Sequence, residues 1–282
     1  MGILRSCPLG LAAFALAACV ACTTAQPSPD EVIASVGRLE ALQGDTDRFA
    51  GLVVAAPHAD YDRHTGEIVT WIHEGTDLPC LLAWGFRRPP DLIWYDVNRP
   101  TERAVASGEL SYERIRSPEA EALYAQWQAM VFDLADCDAG PIDLYVDIHG
   151  HTARYETPEG EQRPLEVIET VAMGFTDEQV ERIRDEYERL AGVHGLEDPA
   201  PMVFLQTDPY YDFEGVEQNF LWEATGARTI GALRPECARR ALHFENPETM
   251  RSPRERRRRV ASIYADLILF IWQEILESAP PG

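Results

Sequence analysis

Short, unbroken apolar runs set apart by helix-period segments limit this chain to few folds. "GLVVAAP" (51–57), "CLLAWGF" (80–86), "DLIWYDV" (91–97) and "IDLYVDI" (142–148) are continuous, not alternating. A strand with one wet face alternates apolar and polar residues, so continuous runs imply strands covered on both faces. "LEVIETVAMGF" (165–175), "MVFLQT" (202–207), "RTIGALRP" (228–235) and "RALHFE" (240–245) are the later strand candidates. Helices fall between them. "SPEAEALYAQWQAMVFDLAD" lines Ala122, Leu123, Trp127, Met130, Val131 and Leu134 along one side. "TDEQVERIRDEYERLAG" opens with a capping-box spacing, Thr176 to Gln179, and ends at Gly192. From Val260 to Leu276 an apolar stripe runs along a last, core-covering helix. Alternating strands and helices give an α/β fold, a three-layer α/β/α sandwich. No repeat or Gly/Ser-rich linker divides 31–282, which reads as a single domain.

The charge narrows the function. A formal net charge of −22 in 282 residues repels nucleic acid and anionic lipid at long range, so neither is an expected partner. The basic run "RSPRERRRR" (251–259) then reads as a solvated face paired with nearby acids. At the N-terminus, Arg5 precedes an apolar run from Pro8 to Ala18, shorter than the ~20 residues of a membrane span but suited to a secretory leader. "LAAC" (16–19) resembles the bacterial lipobox. That pattern makes residues 1–18 a lipoprotein-type signal peptide, Cys19 the lipid anchor and 19–30 a tether, in a protein of the bacterial cell envelope, facing the periplasm. Cleavage after Ala25 is the alternative. An oxidising compartment permits a disulfide among Cys80, Cys137 and Cys237, whose spacing does not fix a pairing.

In open α/β sheets, ligands sit at the carboxyl ends of strands. After the first run comes "PHADYD", with His58, Asp60 and Asp62. After the third comes Asn98–Arg99. The fourth ends in "DIHGH", with Asp147 and His149, and the last ends at Glu245. Imidazole and carboxylate are ordinary zinc ligands, and a catalytic zinc keeps three protein ligands and one open position. Arg99 has the rigid fork that pairs with a carboxylate, and Asn98 could hold or polarise a substrate. Glu245 is a carboxylate available to move a proton.

"PHADYD", "DVNRP", "DIHGH" and "LHFE" are similar in order and spacing to the N-formylglutamate amidohydrolase family, and more distantly to zinc carboxypeptidases and the succinylglutamate desuccinylase/aspartoacylase group. The resemblance covers about residues 51–251. It implies a mixed, mainly parallel central sheet and a Zn2+ site of His58, Asp62 and His149. It also implies substrate binding by Asn98 and Arg99, and catalysis by Glu245 with Arg99. The carboxypeptidase acid position holds Tyr61, so Asp62 is the expected acid, with Asp60 the alternative. The expected activity is zinc-dependent cleavage of the amide bond of a small N-acyl amino acid or peptide. A carboxypeptidase-like or cell-wall peptide hydrolase is one alternative. A non-catalytic metal- or ligand-binding lipoprotein is the other.

Among the remaining histidines, His151 is expected to touch substrate or cap a turn, and His243 to be structural. Arg63 and Arg251 are candidates for further anion contacts or for pairing with surface acids. "TDPYYDFEG" (207–215) reads as a pocket rim or an exposed turn. No G-x-S-x-G elbow, P-loop or dinucleotide fingerprint is present.

Overall fold

The strand runs and helical stripes assemble as layers in a computed structural model that describes residues 28–87, 93–106, 109–110, 113–138 and 140–276. The expected leader, with Cys19, lies outside the described residues. α1 (Pro29–Val36) takes in the last two residues of the expected tether and leads to β1 (Arg38–Leu42), α2 (Thr46–Phe49) and β2 (Leu52–Ala56). Next come α3 (Thr65–Thr76), β3 (Cys80–Trp84), β4 (Ile93–Asp96), β5 (Thr101–Ala106), β6 (Glu109–Leu110) and α4 (Pro118–Leu134). β7 (Ile142–His151) is followed by the short β8 (Arg154–Glu156) and β9 (Gln162–Pro164), then β10 (Ile168–Met173) and α5 (Asp177–Val193). The chain closes with β11 (Met202–Phe204), β12 (Tyr210–Phe213), β13 (Val216–Asn219), α6 (Thr225–Ile230), β14 (Ala238–Pro247), α7 (Glu248–Arg251) and α8 (Arg254–Phe270).

The central sheet has seven strands in the order β1-β3-β2-β7-β14-β10-β11. β3, β2, β7 and β14 run parallel, β1 and β10 join them antiparallel, and β11 runs parallel to β10. This is the mixed, mainly parallel sheet of a three-layer sandwich. On one face, Leu144, Val146, Ile148, Leu242 and Phe244 pack with the apolar sides of α3, α5 and α8. On the other, Val53, Ala55 and Tyr145 pack with Leu123, Trp127 and Val131 of α4. Both faces are dry, which is why the strand runs are continuous.

Local chemistry explains the helix starts. Thr176 and Gln179 form the reciprocal capping box of α5, and Ser117 caps α4 by accepting from the Ala120 N–H. The stripe of α8 is buried as expected, although its last turns widen to a π-helix at Ile271–Leu276. Its basic start is tied internally: Arg257 bonds Glu67 at 2.8 Å and Arg259 bonds Glu255 at 2.7 Å. Among the described residues, no helix is long and apolar enough to cross a membrane.

Four expectations change. Residues 228–235 are not a strand: α6 ends at Ile230, and the following turn docks on the Asn98 carbonyl through the Ala232 N–H at 2.8 Å. A Cβ on Gly231 would stand 2.3 Å from that carbonyl, so the close approach requires glycine. β4 belongs to a separate sheet, β4-β5-β6, so Asn98 and Arg99 reach the site from outside the central sheet. Residues 207–215 are neither rim nor simple turn, because they supply β12 of a β12–β13 hairpin. Cys80, Cys137 and Cys237 are free thiols, so no disulfide links them, and burial pushes the Cys80 thiol far up.

Candidate functional site

Parallel pairing of β7 with β14 builds the floor of the site. His243 lies opposite Asp147 and Glu245 opposite His149. Side chains two apart on a strand share a face, so all four project to the same side of the sheet. The result is a chain of contacts. His149 Nε2 lies 3.3 Å from Asp147 Oδ2, which lies 3.4 Å from His243 Nδ1, whose Nε2 lies 3.1 Å from Glu245 Oε1.

The loop after β2 adds the next groups. One α-turn, closed by the Asp62 N–H on the His58 carbonyl at 3.0 Å, puts both side chains on one side. Asp62 Oδ2 then stands 3.2 Å from His58 Nδ1 and 3.1 Å from His149 Nδ1. Asp60 goes elsewhere, accepting from the Gly85 N–H at 3.1 Å, and Tyr61 is exposed. Arg251 holds this loop. Its fork donates to the carbonyls of Asp62, Arg63, His151 and Asn246, so it is an internal clip, not an anion contact. Gly150 lies against it, and a Cβ there would be 2.2 Å from the guanidinium carbon. Arg63 pairs with Glu248 at 3.1 Å.

The donor atoms of His58, Asp62 and His149 lie within 4.8 Å of one another, and all three residues are buried. Two ligands on a tetrahedral zinc with bonds of about 2.0–2.1 Å are about 3.3 Å apart, so the Asp62 contacts already have ligand-to-ligand spacing. Each imidazole turns its other nitrogen to a buried acid: His58 Nε2 to Asp96 Oδ1 at 3.1 Å, and His149 Nε2 to Asp147. A carboxylate behind each ring fixes its tautomer and raises its basicity, as at metal-bound histidines. The residues therefore fit a divalent cation.

Without a bound ion the buried acids set the charges, and a metal would have to displace a proton from His149. Burial, then the Arg87 charge, lower His58 to about 3, so it is neutral at working pH. Burial opposes a charge on His149, but Asp147 and Asp62 outweigh it and raise the group to about 10. Burial would likewise raise Asp62, yet His58 and His149 hold its carboxyl well below the usual range. Burial is overcome in the same direction at Glu245, by the His243 hydrogen bond and then the His149 charge, so Glu245 is ionised.

Asp96 is a hub that sequence reasoning missed. Besides His58 it binds Arg87, and it accepts from Arg99 Nε at 2.7 Å. The signal was present: Asp96 is the acid of "DVNRP", two residues before Asn98. Asp96→Asn is expected to weaken metal affinity by about 10–100-fold while preserving the fold, as a chelator-competition titration would measure. Unchanged affinity would remove Asp96 from the support of His58.

Asn98 is buried. Its Nδ2 donates to Asp147 Oδ2 at 3.3 Å, while its Oδ1, also buried, has no partner among the described residues. His243, expected to be structural, bridges Asp147 and Glu245 within the site. His151 fixes a turn, bonding the Val167 carbonyl at 2.9 Å and accepting from the Ala153 N–H. A cavity of 710 Å³ opens over these groups, bounded by the loop after β13 and by the arginines at 63, 87, 99, 103, 114 and 251. Burial lowers Arg99 to about 10, against the pull of Glu245 and Asp147. Gly226 makes room for it, since a Cβ there would lie 2.4 Å from an Arg99 terminal nitrogen.

No protein-family model matches the chain, and no match is found among curated proteins. Among solved structures, gene product Atu2144 of Agrobacterium tumefaciens is 14% identical, with 85% of this chain and 96% of that one covered and a TM-score of 0.42. A bacteriophage poly-gamma-glutamate hydrolase is 11% identical, covering 86% and 97%, with a TM-score of 0.42. A succinylglutamate desuccinalase of Vibrio parahaemolyticus is 10% identical, covering 90% and 71%, with a TM-score of 0.37. At these scores the likenesses carry no functional assignment.

Proposed function

We propose that the chain is a zinc-dependent hydrolase that cleaves the amide bond of an anionic N-acyl amino acid or small peptide. The supporting observation is the buried triangle of His58 Nδ1, Asp62 Oδ2 and His149 Nδ1, each imidazole backed by its own aspartate, with Glu245 one strand away. These three residues would hold the ion, which when bound supplies Lewis-acid activation of water and of the scissile carbonyl. Glu245, ionised and oriented by His243, accepts the proton of the attacking water and returns it to the leaving nitrogen. Asn98 Oδ1 is placed to accept an N–H from the substrate, and Asp147 keeps the amide turned that way. Arg99 binds a substrate carboxylate, steadied by Asp96.

Six arginines share the cavity lining with Asp62, Glu223, Glu245 and Glu248. With Arg251 held by backbone carbonyls, Arg63 by Glu248 and Arg87 by Asp96, the guanidinium wall offered to a ligand is that of Arg99, Arg103 and Arg114, in a chain of formal charge −22. Such a wall selects a carboxylate-bearing ligand. Incubating the zinc-loaded protein with N-formyl and other N-acyl amino acids, and separately with short peptides, tests the reading and separates amidohydrolase from peptidase. Arg99→Met is expected to raise KM for the accepted acid by at least about tenfold and to lose discrimination against the corresponding amide. Turnover of neither class by the zinc-loaded protein would sink the proposal.

Export and lipid anchoring at Cys19 belong to the same proposal and rest on the leader sequence. Metabolic labelling with a fatty-acid analogue should mark the wild-type protein in bacterial cells and leave Cys19→Ala unmarked.

A further inference from the structure

We infer that Glu169 is a positioning residue that hangs the cavity-wall loop from the central sheet and thereby shapes the substrate side of the site. Glu169 is fully buried on β10 and lies opposite Glu245 of β14 in the strand register. An apolar residue would suit that place in the layer. Instead a carboxylate is there, and the hydrogen bonds it accepts among the described residues come from the segment that forms the hairpin and the wall. The Tyr211 hydroxyl donates to Oε1 at 2.8 Å, the Leu221 N–H reaches both oxygens at 2.9 Å, and the Trp222 N–H donates to Oε2 at 2.7 Å.

Leu221 to Ala224 connect β13 to α6 and line the cavity. Little else secures them. Leu221 and Trp222 are 51% and 38% exposed, so burial does not anchor them. Among the described residues, no backbone acceptor is recorded for either amide. The preceding Phe220 is buried in the small cluster with Tyr155, Leu165 and Tyr211, and Ala224 turns the chain through the left-handed region at φ 48°. The latch therefore fixes the two residues between that cluster and that turn. It also sets the Trp222 ring, which lies 6.0 Å from the ring of His151 over the cavity. A carboxylate is required because two N–H groups and a hydroxyl converge on it, whereas a glutamine would turn its own NH2 toward one of the donors.

The consequence for substrate rests on the hydrolase reading; the latch itself does not. Amide exchange on the full-length protein tests the latch directly. In the wild type, the Leu221 and Trp222 amides should exchange as slowly as those of β10. In Glu169→Gln they should speed up by at least about tenfold, with β14 protection and zinc content unchanged. With an accepted substrate, the same variant should show a KM raised several-fold and kcat within about twofold of wild type. Wild-type amides at 221 and 222 exchanging as freely as those of Glu223 and Thr225 would overturn the latch even if the variant did not fold. Freed amides with an unchanged KM would overturn the loop's role toward substrate. Should no substrate be turned over at all, the exchange measurements still decide the latch, and the failure falls on the hydrolase reading alone.

Discussion

His149→Ala is expected to leave the purified protein without stoichiometric zinc and to reduce hydrolysis by at least about a thousandfold. His149 is the one imidazole among the described residues in contact with both Asp62 of the loop after β2, at 3.1 Å, and Asp147 of the floor, at 3.3 Å. Removing it takes away a metal-facing nitrogen, and leaving only two of three ligands forfeits most of the binding free energy. It also takes one partner from each of two buried carboxylates, although Asp62 keeps His58 and Asp147 keeps His243, Asn98 and Tyr145, so a loss of stability smaller than that of a fully unpaired buried charge is expected. Metal content by mass spectrometry should therefore be read beside a melting curve. The informative result is a folded, zinc-free protein. Stoichiometric zinc retained by the variant would mean that the ion is held elsewhere, and the assignment of His58, Asp62 and His149 would fall.

Glu245→Gln is expected to do the opposite with respect to metal: zinc stays and turnover falls by about 10²–10⁴-fold. Glutamine keeps the shape and can still accept from His243 Nε2, now 3.1 Å from Oε1, but it cannot take a proton from water. Because Glu245 is outside the ligand triangle, metal titration should give the wild-type stoichiometry. Near-wild-type turnover in this variant would show that some other group carries the proton. If wild type and variant instead bind a small anion equally well and neither turns anything over, the chain is a binding protein. The two variants thus separate loss of the ion from loss of the proton acceptor.

Much of this site was legible because strand ends are local features. His58, Asn98, Arg99, His149 and Glu245 each follow or close an apolar run, and short-range geometry suffices to place a residue at a strand's carboxyl end. The capping box of α5 and the stripe of α8 were legible for the same reason: their partners lie within a few residues. His243 was not. Its period-two relation to Glu245 was visible, but its contact with Asp147 depends on β14 lying beside β7, ninety-six residues away in the chain. The strand expected at 228–235 failed because its first three residues close α6 and the next turn is claimed by tertiary docking on Asn98.

What the sequence determined by itself was the kind of fold, three layers around a sheet dry on both faces, and which residue types stand at its strand ends. Apolar periodicity and residue type act over one or two turns of chain, so they can be read in order. Only the tertiary structure decided that Asp62 and not Asp60 meets the two imidazoles, and that Asp96 ties His58 to Arg99. It also decided that β4 delivers Asn98 from a separate sheet and that a buried Glu169 holds the far wall. Those choices depend on which strands become neighbours, and that order is set by long-range packing that no local pattern encodes.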